Sequence, residues 1–152
     1  MNDIYSIVNN REAEFMTTFR GKFVGVLTWE QLDDLWTTLR ARATQQWYVY
    51  QIGEPPPELP LMPDQLHRLV SELDALLRRD HLYDYCGIVY ADNLQEPTLI
   101  KVFDPNNLGS SCGFSGTTVL PGWIISRLPP VDLHATLPPP NSRRRWWQKL
   151  FS

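Results

Sequence analysis

Apolar positions recur along the chain in two rhythms, and each rhythm predicts a different element. Trp29, Leu32, Leu35, Trp36 and Leu39 return every three or four positions, which gathers them on one side of a helix over 29–43. Thr28 and Gln31 have capping-box form: the hydroxyl accepts from a free backbone N–H while the Gln31 side chain reaches back to the cap. Glu30, Asp33 and Asp34 near the start and Arg40 and Arg42 near the end suit the helix dipole. A second stripe of Leu66, Leu69, Val70, Leu73, Leu76 and Leu77 predicts a helix over 64–79, capped by Asp64 and aided by an Asp74–Arg78 pair one turn apart.

Shorter runs follow the other rhythm. Phe23–Leu27 predicts a buried strand after a turn at Arg20-Gly21-Lys22, and Gln46–Ile52, dense in aromatic and β-branched residues, predicts another that ends at Gly53. Tyr85–Tyr90 and Thr98–Phe103 predict a hairpin joined across Ala91–Pro97, and a last strand falls near Val119–Ser126. Glu54–Pro60 is too rich in proline for a helix or a central strand, so it predicts an extended surface loop. Residues 1–19 carry no clear period; Arg11–Phe19 fits either a short helix or a strand. The order β-α-β-α-β-β-β predicts one α+β domain over 1–128, with a mainly antiparallel sheet of about four or five strands and two amphipathic helices on one face.

Composition supports a packed domain. Apolar residues are 43% and charged residues 20% of the 152, and the 12% of aromatics includes six Trp, so large rings dominate the packing. After Pro129-Pro130 the pattern fades. Residues 129–142 form a Pro-rich linker, stiffened at Pro138–Pro140, and residues 143–152 form a basic-aromatic tail.

Charge sharpens that division. The tail holds Arg143, Arg144, Arg145 and Lys149 and no acid; without those four, ten basic residues face seventeen acidic ones, so residues 1–142 carry −7. An acidic body argues against binding nucleic acid, whose phosphates are held mainly by Lys and Arg. Were the tail helical, Trp146, Trp147, Leu150 and Phe151 would share one face and Arg144, Arg145, Gln148 and Lys149 the other, with Arg143 intruding on the apolar side. Such a segment docks to an anionic membrane face or into a groove of a protein partner, or it folds back over apolar surface of its own body. Two adjacent exposed Trp are costly without a purpose, so docking by Arg143–Arg145, Trp146, Trp147, Lys149, Leu150 and Phe151 is the expectation.

The loop 104–118 is the other unusual segment. Gly109, Gly113 and Gly116 permit close backbone approach, and with Asp104, Asn106 and Cys112 they make a candidate anion or ligand loop. It lacks the Lys-Ser/Thr and the following helix of a P-loop, and Leu108 and Ser115 stand where a calcium loop needs oxygen donors. Plain turn chemistry also explains it. Cys112 as a nucleophile would need a base, and the chain offers only His67, His81 and His134, of which His81 alone falls near the expected sheet. Cys86 and Cys112 are too few for a disulfide framework or a zinc set.

No cofactor is therefore expected. The N-terminus lacks a basic and apolar leader, and no run approaches the ~20 apolar residues of a membrane span, so a cytoplasmic location is expected, with peripheral membrane contact through the tail at most. The function expected is that of a non-catalytic adaptor or accessory protein docking through its tail. The alternative is a small thiol-dependent enzyme or ligand-binding protein using loop 104–118, with Tyr85, Tyr90 and Lys101 nearby.

Overall fold

The helices form where the three-to-four spacing is clearest. A computed structural model describes residues 3–106, 119–133 and 141–151. Helix α2 (Trp29–Ala41) starts at the expected capping box: Thr28 Oγ1 accepts from Gln31 N–H at 3.0 Å, and Gln31 Oε1 accepts from Thr28 N–H at 3.1 Å. Helix α3 (Pro63–Asp80) buries all six residues of its predicted stripe. Its cap differs from the expectation. Met62 is the N-cap and its N–H donates to Gln65 Oε1 at 2.8 Å, while Asp64 lies in the first turn. Pro63 opens the helix, at a position whose N–H would be unpaired anyway.

The ambiguous N-terminus is a helix, α1 (Asp3–Phe19). Among its described side chains only Phe15 is buried, with Met16 and Phe19 packed beside it, so its apolar signal is confined to the last turns. The remaining helix, α4 (Asn141–Phe151), is formed by the tail.

Five short strands form one antiparallel sheet in the order β1-β3-β4-β5-β2: β1 (Val24–Val26), β2 (Tyr48–Gln51), β3 (Val89–Ala91), β4 (Leu99–Val102) and β5 (Trp123–Ser126). The predicted hairpin is present as the β3–β4 pair. Its first strand begins late, at Val89, because Gly87 with φ +70° turns the chain where residues 85–88 were expected to be extended.

Register sorts the side chains. Val26, Val89, Val102 and Trp123 align across neighbouring strands and belong to the main core, packed with α2, α3 and the apolar side of α4. The adjacent row is Gly25, Tyr90, Lys101, Ile124 and Tyr50, and it faces the other way. There α1 covers Tyr50, Leu99 and Ile124 with Phe15, joined by Val131 and Leu133. The sheet therefore has helix on both faces, but α1 covers the second face only in part.

Candidate functional site

The tail is folded onto the body. In α4, Arg143, Trp146, Trp147, Leu150 and Phe151 follow one stripe; Arg143 and Leu150 are buried, and the three aromatics pack half-buried against the main core. Trp146 meets Trp123 of β5 edge-on at 5.6 Å between ring centroids, and Trp147 meets Phe151 at 4.6 Å. Arg143, the residue that intrudes on the apolar side, finds two carboxylates beneath it. Its Nε donates to Asp104 Oδ2 at 2.8 Å, and its Nη2 donates to Asp104 Oδ1 at 3.0 Å and Asp80 Oδ2 at 2.8 Å. Burial opposes the Arg143 charge, but these bonds outweigh it and hold the guanidinium above its usual range. The outward side keeps Arg144, Arg145, Gln148 and Lys149 exposed, and Arg144 also pairs with Glu54 at 3.3 Å.

Of the loop residues, Asp104 is buried and committed to Arg143, and its Oδ1 accepts from Asn106 N–H at 2.9 Å. Gly109, Cys112, Gly113 and Gly116 lie outside the described residues, as does His134. Cys86 is a buried free thiol whose pKa burial pushes up, the opposite of an activated thiolate. His81 is held beside the sheet, as expected, where its Nε2–H donates to the Cys86 carbonyl at 2.8 Å. His67 Nδ1 instead faces Arg40 at 3.2 Å. Among the described residues no group of three His, Cys, Asp or Glu side chains is placed to hold a metal ion, and no helix is long and apolar enough to cross a membrane.

The uncovered part of the second sheet face holds a cavity of about 620 Å³. Its floor comes from the row that register identifies. Gly25 carries no side chain, and a Cβ there would meet the Tyr90 ring at 3.1 Å, so the glycine lets that ring lie flat on β1. Phe103 packs edge-on to Tyr90 at 5.7 Å. Lys101 Nζ sits 4.2 Å from the Phe19 ring centroid and 4.0 Å from that of Phe23, and burial pushes its pKa down. Tyr83 and Tyr85 stand at the mouth, 5.5 Å apart, against His81. The missing side chain of Gly87 is what admits Tyr85, since a Cβ there would meet its ring at 3.1 Å.

Around the mouth lies an apolar patch. Seven large apolar side chains are exposed among the described residues; Leu27, Leu82, Tyr83 and Tyr85 are four of them, and Leu82 is 84% exposed. The two segments that carry them are tied together: Cys86 N–H donates to Leu27 C=O at 2.8 Å and Trp29 Nε1–H to Tyr83 C=O at 3.0 Å. Tyr85, Tyr90 and Lys101, which the sequence reading sets near loop 104–118, line one cavity, while residues 107–118 of that loop lie outside the described residues. Leu27, Leu82, Tyr83 and Phe23 are missed by the sequence reading. The signal available is Leu82-Tyr83-Asp84-Tyr85, three large apolar or aromatic side chains with no helical period just past a helix.

Comparison with known protein families, with curated proteins and with solved structures finds no match to this chain.

Proposed function

We propose that this chain is a non-catalytic adaptor that docks a protein partner on the apolar patch around Leu27, Leu82, Tyr83 and Tyr85. The observation that carries the reading is the concentration of four of the seven large apolar side chains exposed among the described residues, Leu27, Leu82, Tyr83 and Tyr85, in two hydrogen-bonded segments. Contiguous exposed apolar surface is costly in water, and tyrosines at such a surface supply anchor area at little entropic cost. The segments are backed by Trp29 and His81, so the anchors need little ordering when a partner arrives.

A second reading keeps the docking role with the tail. The outward Arg144, Arg145, Gln148 and Lys149 of α4 favour it, as a basic strip on an otherwise acidic chain that faces an anionic protein or membrane surface. In that reading the Trp pair braces the helix and only the basic side meets the partner.

Co-purification from cells separates the two. The tagged full chain is compared with a Leu82→Asp/Tyr85→Ser variant and an Arg145→Glu/Lys149→Glu variant, in soluble and membrane fractions. Loss of the same partner in the patch variant, with retention in the tail variant, supports the patch. Retention in the patch variant, with loss in the tail variant, overturns it in favour of α4.

A further inference from the structure

Among the described residues Lys101 is a half-buried cation without a counter-charge. It extends from β4 between Phe19 and Phe23, and no carboxylate among the described residues pairs with it. The nearest acid in its own strand segment, Asp104, belongs to the opposite face and is taken by Arg143. Two ring faces attract an ammonium but do not neutralise it, so the charge remains available on the wall of the cavity. His81 lines the same cavity, but its Nε2 is already bound to the Cys86 carbonyl. Among the described residues, the cavity therefore offers the Lys101 ammonium surrounded by aromatic surface.

That arrangement defines a ligand. The walls of Tyr90, Phe103, Phe23 and Tyr85 present ring faces and edges that pack on a flat hydrocarbon body. About 620 Å³ lies within the range of small-molecule sites, which combine mostly apolar walls with a few polar groups that fix orientation. One cation matches one negative charge, which fits a carboxylate better than a phosphate dianion, whose oxygens call for several donors. We infer that this cavity binds a small monocarboxylic acid with a planar aromatic body, its carboxylate on Lys101 Nζ and its ring between Tyr90 and Phe23. This site adjoins the partner surface, since Tyr83 and Tyr85 border both, but Lys101 on β4 is not one of the patch residues.

The test uses the full chain and a panel of phenylacetate, 4-hydroxyphenylacetate, cinnamate and indole-3-acetate, each paired with its neutral amide. Binding is followed by calorimetry and by amide chemical shifts. The inference expects at least one acid to bind, with shifts confined to residues 19–25, 83–91 and 99–103. It expects the matching amide to bind at least about tenfold more weakly, the loss of one charge-assisted hydrogen bond. Lys101→Met removes the preference for acid over amide and Lys101→Arg restores part of it, with the melting temperature reporting that both variants fold. No binding by any acid at millimolar concentration overturns the inference, as does equal binding of acid and amide or shifts centred elsewhere. None of these outcomes bears on whether the Leu82→Asp/Tyr85→Ser variant still captures a protein partner, so the two readings fail separately.

Discussion

Arg143 in α4 grips Asp104, two residues beyond β4, through two parallel hydrogen bonds, Nε to Oδ2 at 2.8 Å and Nη2 to Oδ1 at 3.0 Å, with both side chains almost fully buried. A segment that reads as a free docking tail is thereby pinned to the domain at its first turn. The Trp146–Trp123 contact then holds the next turn. Arg143 supplies a positive charge where two carboxylates, Asp80 and Asp104, would otherwise repel one another across the edge of the core.

Breaking this pair on one side leaves an uncompensated buried charge. Arg143→Met is expected to lower unfolding stability by about 3–5 kcal/mol, read from urea denaturation of the full chain. Asp104→Asn placed on top of it should recover part of that loss, because it removes the orphaned charge. If the double variant is as unstable as the sum of the two single ones, the pair is not coupled.

Asp80 connects stability to pH. Hydrogen bonding to Arg79 lowers its pKa and that to Arg143 adds to the effect, against the opposing effect of burial, and together they bring it to about 2. The native pKa lies below the unfolded value of 3.8, so the unfolded state takes up the proton first as pH falls. The contribution is complete above about pH 4 and is lost between about 4 and 2. It amounts to at most about 2 kcal/mol, and to less in salt because Arg79 is largely exposed. Asp80→Asn should flatten that limb of the denaturation profile; an unchanged acid limb contradicts the assignment.

Gly87 is required for its backbone conformation and for its missing side chain. With φ at +70° and the Tyr85 ring 3.1 Å from where a Cβ would sit, Gly87→Ala should cost about 1–2 kcal/mol and displace Tyr85 from the cavity mouth. Gly87→Asn, which adopts positive φ more readily, should cost less in backbone strain while displacing Tyr85 as much. Thermal melts together with the chemical shifts of Tyr85 distinguish the two contributions.

Leu82 is so exposed that its replacement should leave the fold alone. Leu82→Asp is expected to change stability by less than about 0.5 kcal/mol while weakening capture of the partner. A large fall in melting temperature would show that the patch is structural after all.

Much of the architecture is legible because its signals are local. The stripe of α3, the capping box of α2 and the β3–β4 hairpin depend on neighbours a few positions apart, and each appears close to its expected place. The misses are long-range. Nothing near Arg143 reveals that Asp80 and Asp104 wait 63 and 39 positions away, so an arginine on an apolar face reads as an intruder instead of a clasp. The cavity is hidden for the same reason. Gly25 matters because Tyr90 lies across it, and that pairing exists only once the chain crosses from β1 to β3. Lys101 alternates with its apolar neighbours in an ordinary way; only α1, an element with little periodic signal, brings Phe19 over it.

The most direct test is hydrogen exchange over the whole chain, alone and after capture of its cellular partner. The account predicts that the amides of α4 from Arg145 to Phe151 are protected in the free protein, as those of the inner turns of α3 are, and gain little on binding. New protection should appear at residues 24–27 and 82–87. Rapid exchange of α4 in the free chain, slowing only when the partner binds there and leaving 82–87 unchanged, would contradict it and return the docking role to the tail.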